Sequence, residues 1–286
     1  MAWNSPYLVT ANWLAEHLAD PDVAVLDGSW HLPPENRDAS AEFAQRHIPG
    51  AQFFDINTIA DVASGLPHML PSEAQFADAV GAMGVGNTSH VVVYDTKGLF
   101  SAARVWWTFR AMGHDKVAVL DGGLPAWLTL GRAVEAGPAR RRDAKQFVAR
   151  RRSDMVRTMS DVRGLIGSPS VQLVDARPAP RFTGEQPEPR PGLTRGHVPG
   201  ARNVPFAQLL NVDGTLKPEA ELQSVLAAAG VDAAKPVVAS CGSGVTASMV
   251  ALALTLLGRT DAAVYDGSWA EWGRDPANPV ASGPAR

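Results

Sequence analysis

Cysteine is the scarcest reactive residue in the sequence, with Cys241 alone among 286 residues. A single cysteine excludes a disulfide within the chain, and a free thiol is typical of a reducing compartment, so we expect a cytoplasmic protein. No segment approaches the ~20 apolar residues of a membrane span, and the first residues lack the basic and apolar parts of a signal peptide. The sequence therefore predicts no membrane partner.

An excess of charge of one sign is also missing. The chain has 26 Lys and Arg against 29 Asp and Glu, a net charge of -3, and 45% hydrophobic residues. This is the composition of an ordinary globular protein without an electrostatic bias toward nucleic acid, so we expect no nucleic-acid partner. The length suits one large or two medium domains.

Four sequence blocks occur twice, in the same order along the chain. Their paired positions, separated by 145 to 150 residues, are Asp27 and Asp175, His47 and His197, Asp95 and Cys241, and Asp121 and Asp266. Chance matches would not keep both order and spacing, so the chain is a tandem duplication. Because the two histidines and the aspartates of the other blocks recur in a copy without a thiol, we expect them to stabilise the fold.

Each copy has the pattern of an α/β domain. Short β-type runs such as "VAVLD" and "PVVASC" alternate with longer stretches of helical period such as "SEAQFADAVGAMG". This order predicts two tandem domains, each a parallel sheet flanked by helices on both faces. We place the first domain at residues 1–137, a basic linker at 138–157 and the second domain at 158–286. A partner-binding patch is the alternative interpretation of the linker's seven arginines.

The position of Cys241 predicts a nucleophile. A strand is expected to end at Ser240 and a helix to begin near Ala247, which puts the thiol at the carboxyl end of a parallel strand and before a helix N-terminus. Backbone amides and the helix dipole stabilise an anion there, and Gly242 and Gly244 allow the loop to curl around it. The alternative is a small buried core residue.

Three motifs carry a resemblance to a known family. "CGSGVTA" from Cys241, "HVPGARN" from His197 and "YDGSWAEW" from Tyr265 resemble the tandem-rhodanese sulfurtransferases, and within them the 3-mercaptopyruvate branch. The resemblance implies a second domain that forms a persulfide on Cys241 and a catalytically inactive first domain with Asp95 in place of the cysteine. It also implies a loop that cradles the persulfide, formed by Gly242, Ser243, Gly244, Val245, Thr246 and Ala247. It implies no metal and no organic cofactor.

The same resemblance assigns further site residues. Ser243 and His68, the histidine of "HMLP", would form a Ser-His-Asp array, with Asp61 as its carboxylate and Asp55 as the alternative. Arg181 and Arg190, both in "RFTGEQPEPRPG", would bind the substrate carboxylate and keto group, a task that suits the planar guanidinium.

We therefore expect a sulfurtransferase that moves sulfane sulfur from 3-mercaptopyruvate through Cys241 to a thiol, thioredoxin or cyanide acceptor, releasing pyruvate. One alternative is a thiosulfate:cyanide sulfurtransferase, although such enzymes have basic side chains where this loop has Gly242 and Ser243. The other is a non-catalytic sulfur-relay module. A phosphatase of related fold needs Arg six residues after the cysteine, where this chain has Ala247. The sequence does not fix the acceptor, the preferred donor or the oligomeric state.

Overall fold

The computed structural model describes residues 5–285 and divides into two compact units. The first unit contains the chain up to Asp61 together with Leu70–Arg152 and Leu210–Leu216. The second contains Val62–Met69, Ser153–Leu209 and the chain from Lys217 onwards. The short segment Val62–Met69 therefore lies in the first copy by sequence and in the second unit by structure.

The first unit contains five strands and five α-helices. In chain order they are β1 (Leu8–Val9), α1 (Ala11–His17), β2 (Val23–Asp27), α2 (Ala39–Gln45), β3 (Gln52–Phe53), α3 (Glu73–Ala82), β4 (His90–Tyr94), α4 (Ala102–Ala111), β5 (Val117–Leu120) and α5 (Gly123–Thr129). A 3-10 turn at Pro33–Glu35 follows β2.

The second unit repeats this order. It contains β6 (Val156–Arg157), α6 (Met159–Leu165), β7 (Gln172–Asp175), α7 (Ala179–Thr183), β8 (Arg202–Asn203), α8 (Glu219–Ala228), β9 (Val237–Ser240), α9 (Ala247–Leu256), β10 (Ala263–Tyr265) and α10 (Ser268–Trp272). 3-10 turns precede β6 at Ser153–Met155 and follow β8 at Phe206–Leu209, and a further one, Val62–Ser64, comes from the first copy.

Both sheets are parallel and share one topology. The strand order is β1-β5-β4-β2-β3 in the first unit and β6-β10-β9-β7-β8 in the second. All eight strand pairs are parallel. The predicted α/β fold of two tandem parallel sheets is thereby confirmed. The central strand is β4 in the first sheet and β9 in the second. Asp95 follows β4 and Cys241 follows β9, so each lies at the middle of the edge formed by the carboxyl ends of the strands.

The central strands are covered on both faces. Consecutive residues Val91, Val92, Val93 and Tyr94 of β4 have no exposed surface, although successive side chains point to opposite sides of the sheet. Only helices on both faces can bury such a strand, which explains its unbroken β-branched run.

Local signals in the sequence set the helix ends. Thr10, Asp38 and Ser72 accept hydrogen bonds from the first-turn amides of α1, α2 and α3. Thr158 and Asp161 form a reciprocal capping box at the start of α6. Gly84 follows the end of α3 with a φ of 76°, a conformation that an L side chain rarely adopts.

The repeated histidines stabilise equivalent turns. His47 stacks on Phe43, with ring centroids 4.0 Å apart, and its Nδ1 lies 2.8 Å from the Phe43 carbonyl. His197 stacks on Phe182 at 3.7 Å, and its Nδ1 lies 2.9 Å from the Phe182 carbonyl. Both side chains are buried. Each ring thus ties a helix to the turn that precedes an edge strand, which is a structural role.

Residues 138–152, within the predicted basic linker, pack against the first unit. Phe147 is buried, and its ring contacts the rings of Phe76 and Phe109 at centroid distances of 5.6 and 6.2 Å. Asn87 exchanges two hydrogen bonds with the backbone of Val148. In the described part of the chain, no helix has the length and apolar character needed to cross a membrane.

Candidate active site

Cys241 occupies the junction between strand and helix. Strand β9 ends at Ser240, helix α9 begins at Ala247, and the cysteine is the first residue of the connecting loop. It is 2% exposed and has a free thiol. Since α9 runs for ten residues, its N-terminal amides and dipole face the loop that carries the sulfur.

The loop is attached to the start of α10 through Ser268. The Ser268 hydroxyl accepts hydrogen bonds from the amides of Cys241 at 3.2 Å and Gly244 at 3.1 Å, and donates one to the Tyr265 carbonyl at 2.8 Å. Ser268 has a φ of 49°, an uncommon conformation for a residue other than glycine. The amide of Trp269 donates to the Cys241 carbonyl at 2.9 Å. We did not identify Ser268 from the sequence, although it lies in the repeated block "YDGSWAEW".

The loop offers unsatisfied backbone amides near the sulfur. Of the six residues predicted to cradle a persulfide, Gly244 donates its amide to Ser268. Among residues 5–285 no acceptor is found for the amides of the other five, which are Gly242, Ser243, Val245, Thr246 and Ala247. Buried amides without acceptors are uncommon, so this loop is suited to an anion that fills the gap.

Ser243 and His68 are in direct contact. His68 lies in the segment that packs with the second unit, and its side chain is buried. Its Nδ1 is 3.0 Å from Ser243 Oγ, and Arg190 donates a longer hydrogen bond, 3.4 Å, to the same oxygen. Because arginine can only donate, the hydroxyl proton of Ser243 is free to point at a neutral His68 Nδ1. The arrangement can relay a proton.

Asp61, the predicted carboxylate of the Ser-His-Asp array, lies in the first unit, and so does the alternative, Asp55. Asp55 uses its carboxylate locally, accepting hydrogen bonds from the Asn57 amide at 2.9 Å and the Thr58 hydroxyl at 3.1 Å. The role of Asp61 in the array stays a prediction.

Arg181 and Arg190 lie beside the cysteine loop. A Cβ placed on Gly242 would come 3.1 Å from Arg181 Nη2 and 3.9 Å from Arg190 Nη1, so both guanidinium groups approach this residue. A side chain at Gly242 would therefore crowd the end of the Arg181 side chain. The two arginines differ in their partners, because Arg181 forms an ion pair with Glu188, whereas Arg190 has no carboxylate within ion-pair distance among the described residues.

Burial shapes the electrostatics of this cluster. Desolvation lowers the pKa of Arg190 from its ordinary value, the charge of Cys241 acts in the opposite direction, and Arg181 adds to the lowering. Arg177 is more deeply buried, and although burial opposes its charge, Asp175 and Glu188 together raise its pKa. An anion near Arg190 would relieve the cost of holding that cation in a partly buried position.

Glu188 and Arg177 are further residues that sequence reasoning missed. Glu188 stands between the two predicted arginines in "RFTGEQPEPRPG", so a carboxylate flanked by cations was the available signal. Arg177 stands two residues after Asp175, and the corresponding residue of the first copy, two residues after Asp27, is Ser29. Among residues 5–285, no group of three or more His, Cys, Asp or Glu side chains is arranged to hold a metal ion.

Comparison with known proteins agrees with this geometry. The family described as rhodanese-like domain matches residues 10–130 and 158–275. The 3-mercaptopyruvate sulfurtransferase of Rattus norvegicus is 46% identical over 271 residues, which cover 93% of this chain and 91% of that protein. A thiosulfate sulfurtransferase of Gallus gallus is 47% identical over 271 residues, covering 93% and 92%.

A solved structure is similar along nearly the whole length. It is the crystal structure of SseA from Escherichia coli, presented as a 3-mercaptopyruvate sulfotransferase with the rhodanese fold. Its TM-score is 0.85 at 41% identity, and the match covers 93% of this chain and 100% of that one. The duplicated parallel sheets, the cysteine loop after β9 and these relatives lead to one conclusion: the chain belongs to the rhodanese-like family and contains two copies of its domain.

Proposed function

We propose that the protein is a 3-mercaptopyruvate sulfurtransferase that uses Cys241 as its sulfur carrier. The observation that carries this proposal is the placement of Ser243. Its hydroxyl lies between His68 Nδ1 and the guanidinium of Arg190, two residues after the only cysteine. This site combines a nucleophile, a proton relay and a cation for a carboxylate, the three groups that sulfur abstraction from a mercapto acid requires. The relatives named 3-mercaptopyruvate sulfurtransferase support the same substrate.

Substrate binding begins with the arginines. Arg190, with Arg181 beside it, holds the carboxylate and keto oxygens so that the substrate sulfur lies next to Cys241. The bound carboxylate also compensates the partly buried charge of Arg190. This orientation turns an encounter between two sulfur atoms into a directed attack.

Sulfur transfer follows. The Cys241 thiolate attacks the substrate sulfur, a new sulfur–sulfur bond forms, and the carbon–sulfur bond breaks with its electron pair passing to the enolate of pyruvate. The substrate thiol proton moves through Ser243 and His68 to the enolate carbon, and pyruvate leaves. Asp61 serves as the carboxylate that orients His68. The persulfide that remains on Cys241 carries one negative charge, held by the loop amides.

The acceptor completes the cycle. The family of sulfurtransferases acts on small-molecule donors and acceptors, and here the acceptor is a thiol or cyanide, with thioredoxin as a protein acceptor. The free cysteine is compatible with the cytoplasm as the site of action. Within the duplication, residues 158–286 form the catalytic copy and residues 1–137, with Asp95, the inactive one.

A thiosulfate sulfurtransferase is the second candidate, because the Gallus gallus relative of that name is as similar as the mercaptopyruvate enzymes. The test is a side-by-side assay of both donors with the wild-type protein and with Cys241→Ser. We expect pyruvate release from 3-mercaptopyruvate with the higher kcat/KM, and a mass increase of about 32 Da, one sulfur atom, on the Cys241 peptide. Cys241→Ser should abolish both. A wild-type protein that binds donor without any turnover would instead identify a non-catalytic module.

A further inference from the structure

Glu188 is a buried carboxylate shared by two arginines. Its side chain is 3% exposed. Oε1 accepts a hydrogen bond from Arg177 Nη1 at 2.7 Å and a second from Arg181 Nε at 3.2 Å. Oε2 is bonded to Arg181 Nη2. Both carboxylate oxygens are therefore engaged, and one whole edge of the Arg181 guanidinium is committed to Glu188.

Arg177 is satisfied by other groups as well. Its Nη2 lies 2.7 Å from Asp175 Oδ2 and donates to the Gly196 carbonyl at 2.7 Å. Its guanidinium also lies over the Trp269 ring, 4.2 Å from the centroid. With a side chain only 1% exposed, Arg177 is a fixed structural cation whose charge is balanced by Asp175.

Five charged side chains, Arg177, Arg181, Arg190, Asp175 and Glu188, add up to a single positive charge beside the cysteine loop. Arg177 is paired with Asp175 and Glu188, and Arg181 with Glu188, whereas Arg190 has no ion pair in the described structure and feels Glu188 only at longer range. A donor with one carboxylate brings one negative charge, which matches this cation. A dianion brings a second negative charge into a partly buried site where the described residues offer no further cation without an ion pair, and where Glu188 lies nearby.

We propose that Glu188 is a specificity-determining residue that selects donors with a single negative charge, such as a 2-oxo carboxylate, over dianions such as thiosulfate. Glu188 acts through Arg181, whose charge it neutralises while it fixes the plane of the guanidinium beside Gly242. This inference rests on the proposed sulfurtransferase function and adds the physical origin of the donor preference.

The test compares Glu188→Gln with Glu188→Asp and with a matched control. Glutamine keeps the size and removes the charge, whereas aspartate keeps the charge. Glu185→Gln is the control, because Glu185 lies in the same loop, is exposed and has no ion pair in the described structure. The readout is kcat/KM for thiosulfate divided by kcat/KM for 3-mercaptopyruvate, at fixed pH and ionic strength.

We expect the ratio to rise about tenfold in Glu188→Gln, chiefly through a lower KM for thiosulfate, because the site then holds two uncompensated cations. The ratio should stay near the wild-type value in Glu188→Asp and Glu185→Gln. An unchanged ratio in Glu188→Gln would overturn the proposal. So would an equal rise in Glu188→Asp, since that would make the effect one of shape and not of charge.

A second measurement needs no substitution and covers the case in which Glu188→Gln does not fold. Methanesulfonate and sulfate have similar shapes but one and two negative charges. With the wild-type protein, methanesulfonate should compete with the donor at a concentration about tenfold lower than sulfate. Equal inhibition would contradict the charge argument. A wild-type protein that transfers sulfur from neither donor would refute the proposed function, and the two inhibitors would still test whether the site prefers a single negative charge.

Discussion

The two copies place different side chains at the start of the equivalent loop, a carboxylate in the first and a thiol in the second. In the first copy Asp95 follows β4, and its carboxylate accepts hydrogen bonds from three amides: Lys97 at 2.9 Å, Phe100 at 2.7 Å and Ala102 at 2.9 Å. In the second copy Cys241 follows the equivalent strand. Asp95 is 1% exposed, so its charge is buried and is stabilised by the backbone around it. The first copy thus shows that the backbone amides of this loop bind a carboxylate that belongs to the chain itself.

The amides that bind Asp95 have counterparts by position in the second copy, although the first loop is one residue longer. Ala102 and Ala247 both begin a ten-residue helix, and Lys97 and Ser243 both stand two residues after the Asp95 or Cys241 position. Phe100 and Val245 both stand two residues before the helix. The counterparts Ser243, Val245 and Ala247 are among the amides without acceptors in the described structure. The comparison teaches that the loop is a binding site for one negative charge. In the first copy the Asp95 carboxylate fills this site, and in the second copy the site is available to the sulfur on Cys241.

The largest effect should come from making the second loop like the first. In Cys241→Asp the carboxylate should accept the amides of Ser243, Val245 and Ala247. Sulfur transfer should fall at least about a thousandfold because the nucleophile is gone. The free energy of unfolding of the second unit should nevertheless rise by about 1–3 kcal/mol, because three buried amides gain a charged acceptor. Activity assays and denaturant unfolding measure the two effects.

Cys241→Ser is the matched control for this prediction. It should be equally inactive, but a neutral hydroxyl is a shorter and weaker acceptor, so it should not share the gain in stability. If the aspartate variant were no more stable than the serine variant, the amides of the two loops would not be equivalent.

The reverse change empties the first loop. Asp95→Ala leaves the amides of Lys97, Phe100 and Ala102 buried without an acceptor, and we expect the first unit to lose about 3–4 kcal/mol of stability. The vacated space has the size of a formate ion. Added formate should therefore raise the Tm of Asp95→Ala in proportion to its occupancy, by binding the folded state alone.

Val92→Ala provides the control, because it also destabilises the first unit, by removing two methyl groups from a fully buried strand, but opens no anion site. Formate should raise the Tm of Asp95→Ala and leave that of Val92→Ala unchanged. Equal responses of the two variants would mean that the loop does not bind anions.

The duplication also explains what the sequence could and could not predict. The two parallel sheets, the duplication and the position of Cys241 between β9 and α9 follow from hydrophobic period and repeated blocks, which can be read from the sequence. The hydrogen bonds of Asp95 could not be predicted, because their donors are backbone amides, which every residue type shares. Ser268 was missed for a related reason, since its partners, the amides of Cys241 and Gly244, are distant in sequence. The flanking arginines were a signal for Glu188, but residue type alone did not show that two arginines would share its carboxylate.

A smaller contrast separates the aspartates that end β2 and β7. Asp175 is bonded to Arg177, whereas Asp27 has Ser29 at the corresponding place, and its Oδ2 has no hydrogen-bond partner within residues 5–285. Burial, with a contribution from the charge of Asp95, raises the pKa of Asp27 from 3.8 to about 6. The folded first unit therefore holds a proton on Asp27 that the unfolded chain would release in the range between these two values.

Stability should depend on pH accordingly. The contribution of protonated Asp27 is fully present below a pH of about 4, is lost as the pH rises to about 6, and stays lost above that value. Asp27→Asn, which mimics the protonated form, should match the wild type at pH 4 and exceed it by about 2–3 kcal/mol at pH 8 in denaturant unfolding of the first unit. Burial also raises the pKa of Asp121 to about 6, but Asp121 is present in both proteins, so the difference between their stabilities isolates Asp27.

Asp175→Asn should show the opposite sign and destabilise the second unit at pH 8, because it removes the carboxylate that balances buried Arg177. A gain from Asp27→Asn that was equal at pH 4 and pH 8 would show that its origin is packing and not the unpaired charge.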